Sequence, residues 1–400
     1  MLKLNVRNLR SIRDQEVELA PITIVYGPNG AGKSSLLYAL PILRNIALSP
    51  NQNLAAFFNL QFANLGGFEQ LVFDHDTRKK IEIELTDTSE KASVSYGITL
   101  AEKSGGAFKL SYSGEGLQPI ALSVEVTFPY PANQQVTQIL KNGETEFSVV
   151  WNGVVAQVQI PSTDVVGKAQ ADAILGSLNW PTELLRGTVM VPLKRGFSQP
   201  LFNSVAVGQV ITEAEVASLL SIDKYLESRI SVRLENIFDR DFRVHFSPGA
   251  GVFSLDSTDK RTGVSTELVN DGFGVNQTVY LLSRCMQKES KLICIEEPEI
   301  HLHPTAVIRL AKALISIARD EDKRFLISTH SESFLVSLLG AIAKGEMKVS
   351  ELACYYAKRD KKETIFERQQ ITDRGQIAGG LVAFMEAELP DVKSVLQVKD

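Results

Sequence analysis

Eight residues near the start of the chain, Gly27-Pro28-Asn29-Gly30-Ala31-Gly32-Lys33-Ser34, follow the pattern G-x-x-x-x-G-K-[ST]. A short apolar run at residues 22–26 precedes them, and residues 35–40 after them have helical spacing. Glycines let backbone N–H groups surround an anion, and the start of a helix adds partial positive charge. The pattern predicts that Lys33 reaches the β- and γ-phosphates of a nucleoside triphosphate and that Ser34 binds Mg²⁺. The predicted binding residues are Gly27, Pro28, Asn29, Gly30, Ala31, Gly32, Lys33, Ser34 and Ser35.

Two adjacent carboxylates, Glu296 and Glu297, follow the apolar run Leu292-Ile293-Cys294-Ile295, which is typical of a buried parallel strand. Such a pair suits metal-dependent phosphate chemistry. Glu296 is predicted to hold Mg²⁺ directly or through water, and Glu297 is predicted to orient and polarise the water that attacks the γ-phosphate. Taken alone, the pair is more typical of a solvated acidic turn, and the glycine loop elsewhere in the chain is what favours the metal site.

A histidine, His330, follows the next apolar run at residues 324–328. A side chain at the carboxyl end of such a strand faces the crevice where nucleotides bind in α/β sheets. A lone histidine is more often structural, but the order of glycine loop, acidic strand and histidine strand favours contact with the γ-phosphate. His330 therefore joins Lys33 and Glu297 as a predicted catalytic residue.

The composition is that of an ordinary globular protein, with 44% hydrophobic and 22% charged residues among 400. A net charge of −5 excludes a strongly basic nucleic-acid coat but leaves room for a local basic patch. Three isolated cysteines, Cys285, Cys294 and Cys354, indicate a reducing compartment. An apolar signal core and an 18-residue apolar run are both lacking, so a cytoplasmic location without a membrane span is expected.

The pattern along the chain predicts an α/β fold interrupted by a β-rich and helical segment. Residues 1–128 combine the glycine loop with strands of period-2 alternation that favour an antiparallel sheet. Residues 129–257 are broken by turn prolines and contain a predicted single long helix at 213–237. Residues 258–400 alternate strands and helices, which indicates a largely parallel sheet. A short helix at 381–388 is predicted near the end of this segment.

The three motifs in this order resemble the ABC-type P-loop ATPases, in particular the SMC/RecF/OLD-like branch. The resemblance is close over residues 1–48 and 266–335. The glycine loop resembles that branch's Walker A, and residues 296–304 resemble its Walker B and D-loop, with Glu296 where Asp is usual and His303 where many members have Asp. The resemblance implies ATP and Mg²⁺ as ligands and an ATPase core with a mixed or parallel sheet, an N-terminal antiparallel part and an insertion.

The resemblance also implies a signature loop at residues 268–277, whose helix faces the γ-phosphate bound by a second subunit. Asn270 or Asp271 would cap that helix, and Gly272 and Gly274 would open its backbone. The segment departs from L-S-G-G-Q, and an N-capped helix without further function stays an alternative. An acidic Asp271 near phosphate would need to cap the helix or pair with a base.

Further residues take roles from the resemblance alone. Gln70 lies where a Q-loop belongs and would touch Mg²⁺ or the attacking water, with Gln61 as a rival. Arg10 and Ser11 match a basic turn near the α-phosphate and ribose, although an ordinary hairpin turn is the alternative. The basic turn Lys194-Arg195-Gly196-Phe197 resembles a turn of related small ATPases that would touch nucleic acid or the nucleotide of a partner subunit, and a solvated turn is the favoured alternative. His301 and His303 have the spacing of zinc ligands, but no nearby cysteine pair supports a zinc site.

The resemblance implies an ATP-dependent homodimer or higher oligomer that couples nucleotide state to DNA maintenance or to defence against invading DNA. Only 70 residues follow His330, and a metal-nuclease constellation is not evident in them. A separate effector protein is therefore expected, with DNA as a possible ligand and no membrane. Three alternatives stay open: an ATP-sensing scaffold, a transporter nucleotide-binding subunit, and a P-loop kinase or GTPase.

Overall fold

A computed structural model of the chain describes residues 1–115, 118–142, 145–159, 165–208, 212–247, 251–378 and 380. The strands, in chain order, are β1 (Leu2–Leu9), β2 (Ile12–Leu19), β3 (Ile22–Tyr26), β4 (Ile81–Thr88), β5 (Ala92–Leu100), β6 (Gly105–Gly114), β7 (Ile120–Thr127), β8 (Val136–Asn142), β9 (Thr145–Trp151), β10 (Ala156–Gln159), β11 (Thr188–Val191), β12 (Phe202–Asn203), β13 (Arg240–Phe246), β14 (Val252–Asp259), β15 (Ser265–Glu267), β16 (Leu292–Glu296), β17 (Arg324–Thr329), β18 (Leu352–Asp360) and β19 (Glu363–Gln369). The helices are α1 (Lys33–Leu48), α2 (Phe68–Leu71), α3 (Val165–Arg186), α4 (Glu213–Ile222), α5 (Lys224–Phe238), α6 (Phe273–Cys285), α7 (Pro304–Asp320) and α8 (Glu332–Ala343), with short 3₁₀ turns at Leu54–Phe58, Phe73–His75 and Val349–Glu351. The helix predicted at residues 381–388 lies outside the described residues.

The chain divides into two compact units. The first contains Met1–Ala20, Asn29–Thr188 and Ala357–Glu367, and the second contains Pro21–Pro28, Val189–Tyr356 and the described residues from Arg368 onward. The predicted division of the ATPase core into residues 1–128, an insertion at 129–257 and residues 258–400 stays a prediction. Within the described ranges, no helix has both the length and the apolar character that a membrane crossing requires.

The first unit is built on an antiparallel sheet with the strand order β2-β1-β4-β5-β6-β7. Alternate residues are buried along its strands, as in β4, where Ile81, Ile83 and Leu85 face the core. Aromatic side chains fill that core, with the ring centroids of Phe57 and Phe128 4.9 Å apart. A second antiparallel sheet has the order β10-β9-β8. The predicted N-terminal antiparallel part is confirmed.

The second unit contains the parallel strands β16, β17, β3 and β18, which pair in that order, with β11 beside β16. Every residue of β3 and β16 is buried. Parallel strands that are covered on both faces consist of continuous apolar runs, and such runs predicted β3 and β16 from the sequence. The predicted α/β class with a parallel sheet is confirmed.

The predicted single helix at 213–237 is wrong, because the chain forms α4 and α5 with a break at Asp223. The Asp223 carboxylate accepts a hydrogen bond from the Leu226 N–H at 2.9 Å and caps the start of α5. Aspartate is among the preferred residues at this position. The apolar spacing continues across the break because both helices bury a face in the same core, which includes Leu220 and Ile230.

Candidate functional site

The carboxyl ends of three neighbouring parallel strands carry the predicted motifs of the second unit. In the register of the sheet, Glu296 at the end of β16 pairs with Ser328 of β17, and Thr329 pairs with Tyr26 at the end of β3. Gly27 and Pro28, which begin the glycine loop, therefore leave the sheet at the edge that also carries the two carboxylates and His330. The sequence predicted each of these residues at a strand end, and the order of the three motifs favoured a common nucleotide site.

Glu297 and His330 form a close pair at this edge. The His330 Nε2 lies 3.2 Å from the Glu297 Oε1, and the two side chains are 31% and 30% exposed. The Glu297 backbone has a left-handed φ of 43°, a conformation that non-glycine residues seldom adopt. Its N–H donates to the Ser328 carbonyl at 2.9 Å. A partly exposed carboxylate beside an imidazole can polarise water and exchange a proton.

The neighbouring carboxylate, Glu296, has different surroundings. It is 7% exposed, and its Oε2 accepts a hydrogen bond from the Leu193 N–H at 3.4 Å. Within the described residues, no group of three or more His, Cys, Asp or Glu side chains could hold a metal by itself. Mg²⁺ that is bound together with phosphates usually takes only one or two protein carboxylates. Glu296 as a metal ligand stays a prediction.

A third carboxylate, Glu299, was missed from the sequence. Its Oε1 accepts hydrogen bonds from the Thr329 Oγ1 at 2.6 Å, the His330 N–H at 2.9 Å and the Ser331 N–H at 3.1 Å. Glu299 therefore fixes the backbone that carries His330. The available signal was its place two residues after Glu297, at the same strand end.

Arg195 corrects the prediction that the basic turn at residues 194–197 is solvated. Its Nη1 donates to the carbonyls of Pro192 at 3.0 Å and Glu296 at 2.7 Å, and its Nη2 donates to the carbonyl of Glu297 at 2.8 Å. Burial lowers the pKa of the guanidinium to about 10, although Glu299 and other nearby carboxylates act to raise it. The neighbouring Lys194 is exposed, as predicted.

The remainder of the glycine loop, from Asn29 onward, lies in the first unit and opens α1. Gly30 and Gly32 have φ values of 75° and 93°, which an L side chain adopts only with strain. A Cβ on Gly30 would meet no atom within 4 Å, so the loop backbone is open there. Lys33 is the first residue of α1, and the first turn contains no acidic residue. This arrangement fits an anion at the start of a helix.

Ser11 is adjacent to the glycine loop within the first unit. A Cβ on Gly32 would lie 2.7 Å from the Ser11 Oγ, and that hydroxyl accepts a hydrogen bond from the Thr364 Oγ1 at 2.7 Å. The Arg10 guanidinium carbon lies 5.6 Å from the ring centroid of Tyr38 in α1. Both residues are thus near the first turns of α1, and their contact with the α-phosphate and ribose stays a prediction.

Gln70 is exposed in the short helix α2, and its Oε1 accepts a hydrogen bond from the Gly67 N–H at 2.8 Å. The amide oxygen predicted to reach Mg²⁺ thus serves a local helix cap here. Its rival Gln61 is also exposed. Which glutamine serves the Q-loop stays a prediction.

The signature segment departs from prediction in its cap. Gly272 occupies the position before α6, and no side chain caps the helix, so a cap by Asn270 or Asp271 is wrong. Asp271 instead pairs with Arg240, whose Nη1 lies 3.1 Å from its Oδ2, and accepts a hydrogen bond from Ser257. The carboxylate is 9% exposed, so the pairing offsets the cost of burying its charge.

Gly274 is required by packing between α6 and the chain after β16. A Cβ at this position would lie 2.8 Å from the His301 carbonyl oxygen and 3.0 Å from the Leu302 Cδ2. We expect Gly274→Ala to lower the free energy of unfolding by about 1–3 kcal/mol through overpacking. Gly340→Ala in α8, where no atom lies within 4 Å, should stabilise by about 0.5–1 kcal/mol. Urea unfolding of both variants checks this pair, and equal effects would contradict it.

His301 and His303 have structural partners in the second unit. The His303 Nδ1 accepts a hydrogen bond from the Thr305 N–H at 3.3 Å and caps α7. The His301 ring lies 5.6 Å from the ring of Phe273 at the start of α6. These contacts account for both side chains without a metal. A role for His303 across a dimer stays a prediction.

Two family models match the chain, an AAA ATPase domain over residues 209–335 and an AAA domain over residues 3–115. The chain is also 24% identical over 356 residues to the OLD nuclease of Thermus scotoductus (strain ATCC 700910 / SA-01), a match that covers 84% of this chain. The chain spans 60% of the length of that relative. The predicted resemblance to OLD-like P-loop ATPases is confirmed. The matched ATPase domains imply that the chain binds ATP.

Among solved structures, the SMC head domain from Thermotoga maritima aligns with a TM-score of 0.45 and 10% identity, over 92% of this chain and 98% of that one. An Smc head bound to the C-winged helix domain of ScpA aligns with a TM-score of 0.48 and 10% identity, over 92% and 96% of the two chains.

Proposed function

We propose that this chain hydrolyses ATP, with Glu297 as the residue that polarises the attacking water and His330 as a contact of the γ-phosphate. The observation that carries the proposal is the 3.2 Å approach of the His330 Nε2 to the Glu297 Oε1. This pair stands at the strand edge from which the glycine loop departs. A carboxylate in this place suits the orientation of water for an in-line attack on phosphorus.

The other parts follow from residue chemistry. Lys33 supplies a positive charge for the β- and γ-phosphates, and the loop from Gly27 supplies backbone N–H groups. Ser34 and Glu296 would hold Mg²⁺, which when bound neutralises developing charge on the phosphate oxygens. The oxygen of water forms a bond to the γ-phosphorus while the bond to the β–γ bridging oxygen breaks, and the water proton passes towards Glu297. ADP and inorganic phosphate are the products.

We further propose that ATP brings two copies of the chain together, as a homodimer or a higher oligomer. The support is the resemblance of residues 268–277 to a signature loop, which in that family completes the site of the other subunit. The coupled process would be DNA maintenance or defence against invading DNA, carried out by a separate effector. The match to an OLD nuclease suggests a nuclease as that effector.

Steady-state ATP hydrolysis with and without linear double-stranded DNA tests the proposal. It should be measured at about 50 mM and about 200 mM salt, because phosphate contacts weaken steeply over that range. We expect hydrolysis that DNA stimulates at low salt and stimulates less at high salt. A rate indifferent to DNA would remove DNA as the direct trigger and favour a protein effector. Tight ATP binding without turnover would favour the ATP-sensing scaffold instead.

A further inference from the structure

The turn at residues 192–197, defined here as the arginine turn, is anchored at both ends within the second unit. At one end, the Arg195 guanidinium donates to the carbonyls of Glu296 and Glu297. At the other end, the Phe197 N–H donates to the Asn276 Oδ1 at 2.7 Å, and the Asn276 Nδ2 donates back to the Phe197 carbonyl at 2.8 Å. Asn276 belongs to α6, so the turn connects the start of α6 with the acidic strand end.

The two carbonyls that Arg195 binds flank the strained part of the acidic strand end. Glu297 has a left-handed φ of 43°, and such a conformation persists only where surrounding contacts enforce it. Its N–H is held by Ser328 and its carbonyl by Arg195 at 2.8 Å. The direction of the Glu297 side chain therefore depends on a bond that Arg195 supplies.

Glu299 extends the same arrangement to the histidine strand. Its Oε1 accepts from the N–H groups of His330 and Ser331, so one short segment, residues 296–299, is tied to Arg195 on one side and to the backbone of His330 on the other. Both the Arg195 Nε and the Glu299 Oε2 are buried without a hydrogen-bond partner.

We infer that Arg195 is a positioning residue that sets the Glu297 carboxylate against His330 for ATP hydrolysis. The inference rests on the proposed function and adds to it the device that holds the water-polarising residue in place. Arg195 acts through the backbone carbonyls of Glu296 and Glu297, and its planar fork of donors suits two carbonyls better than the single ammonium group of lysine.

Three variants separate this role from a general loss of stability. Arg195→Met removes the donors and keeps much of the apolar stem, Arg195→Lys keeps the charge, and Lys194→Met removes an equal charge from the exposed neighbour in the same turn. We expect kcat of Arg195→Met to fall by about 100-fold, as misplaced catalytic groups do, with KM changed by less than about threefold. Arg195→Lys should recover part of kcat, and Lys194→Met should match the wild type.

Amide hydrogen exchange provides a readout that does not depend on turnover. In Arg195→Met we expect faster exchange confined to peptides covering residues 295–302, with the exchange of α7 unchanged. Wild-type kcat together with wild-type exchange in Arg195→Met would overturn the inference. If Glu297→Gln hydrolyses ATP as fast as the wild type, the proposed function fails instead, while local exchange in Arg195→Met still decides whether Arg195 holds the strand end.

Discussion

Lys33→Ala should abolish ATP binding. Lys33 is the buried first residue of α1, where its ammonium is the only side-chain cation within the glycine loop motif. A charge-assisted hydrogen bond contributes about 1.5–3 kcal/mol, and Lys33 is predicted to make one to each of the β- and γ-phosphates. We therefore expect the Kd for ATP to rise by at least about 100-fold, measured by isothermal titration calorimetry in the presence of Mg²⁺.

Thermal unfolding gives an independent measure of the same loss. ATP at about 100 times its Kd should stabilise the wild type by about 2.7 kcal/mol through binding to the folded state alone, and Lys33→Ala should show no shift. Alanine is the best helix former, so α1 itself should persist. Lys80→Ala, a loss of equal charge at an exposed site of the first unit, is the matched control and should bind ATP normally. An unchanged Kd for Lys33→Ala would remove the glycine loop from the site.

The parts of the fold that could be predicted were those that depend on the local pattern of apolar and polar residues. The runs at Ile22–Tyr26 and Leu292–Glu296 indicated buried parallel strands because both faces of such strands are covered. The alternation along β4 and β7 indicated an antiparallel sheet with one buried face. The strand ends, together with the order of the three motifs, then favoured a common nucleotide site for Glu297 and His330.

The parts that could not be predicted depend on contacts distant in sequence. Arg195 has the local pattern of an exposed basic turn, and its actual partners are carbonyls 101 and 102 residues further along the chain. Asp271, in the bend before α6, likewise pairs with Arg240, which lies 31 residues earlier on β13. Local propensity favoured helix caps and solvated turns at both places, and tertiary pairing overrode it.

The break at Asp223 shows a different reason why a sequence-based prediction was wrong. The apolar spacing of α4 continues into α5, so periodicity alone predicted one helix. The boundary between α4 and α5 was indicated only by the capping preference of Asp223, whose carboxylate accepts a hydrogen bond from the Leu226 N–H. An aspartate in the middle of an apolar pattern is therefore better evidence for a boundary than the pattern is for continuity.

Glu297→Gln should retain ATP binding and lose hydrolysis. The substitution keeps the size of the side chain and the left-handed backbone, while it removes the negative charge that polarises water. General base catalysis contributes about 10²–10⁴-fold, so we expect kcat to fall by at least about 100-fold, measured as phosphate release. The Kd for ATP should stay within about threefold of the wild type or become lower, because one negative charge near the γ-phosphate is gone.

The matched control is Glu332→Gln, which removes one charge from an exposed residue at the start of α8, just after the histidine strand. It should hydrolyse ATP at the wild-type rate, so that a loss in Glu297→Gln cannot be assigned to net charge. Full activity of Glu297→Gln would mean that another group polarises the water. ATP-loaded Glu297→Gln should also accumulate as a dimer in light scattering, since the step that releases the partner no longer occurs.

The double variant Glu297→Gln/His330→Ala tests whether the two residues work as one unit. Their side chains lie 3.2 Å apart, and groups in contact show strongly non-additive effects. If Glu297 supplies the base and His330 serves the same transition state, removing both should cost little more in kcat than removing Glu297 alone. Fully additive losses would assign them to separate steps, with His330 acting in nucleotide binding and Glu297 in the attack of water. The pairing at the strand edge favours the non-additive outcome, because neither side chain can move without changing the surroundings of the other.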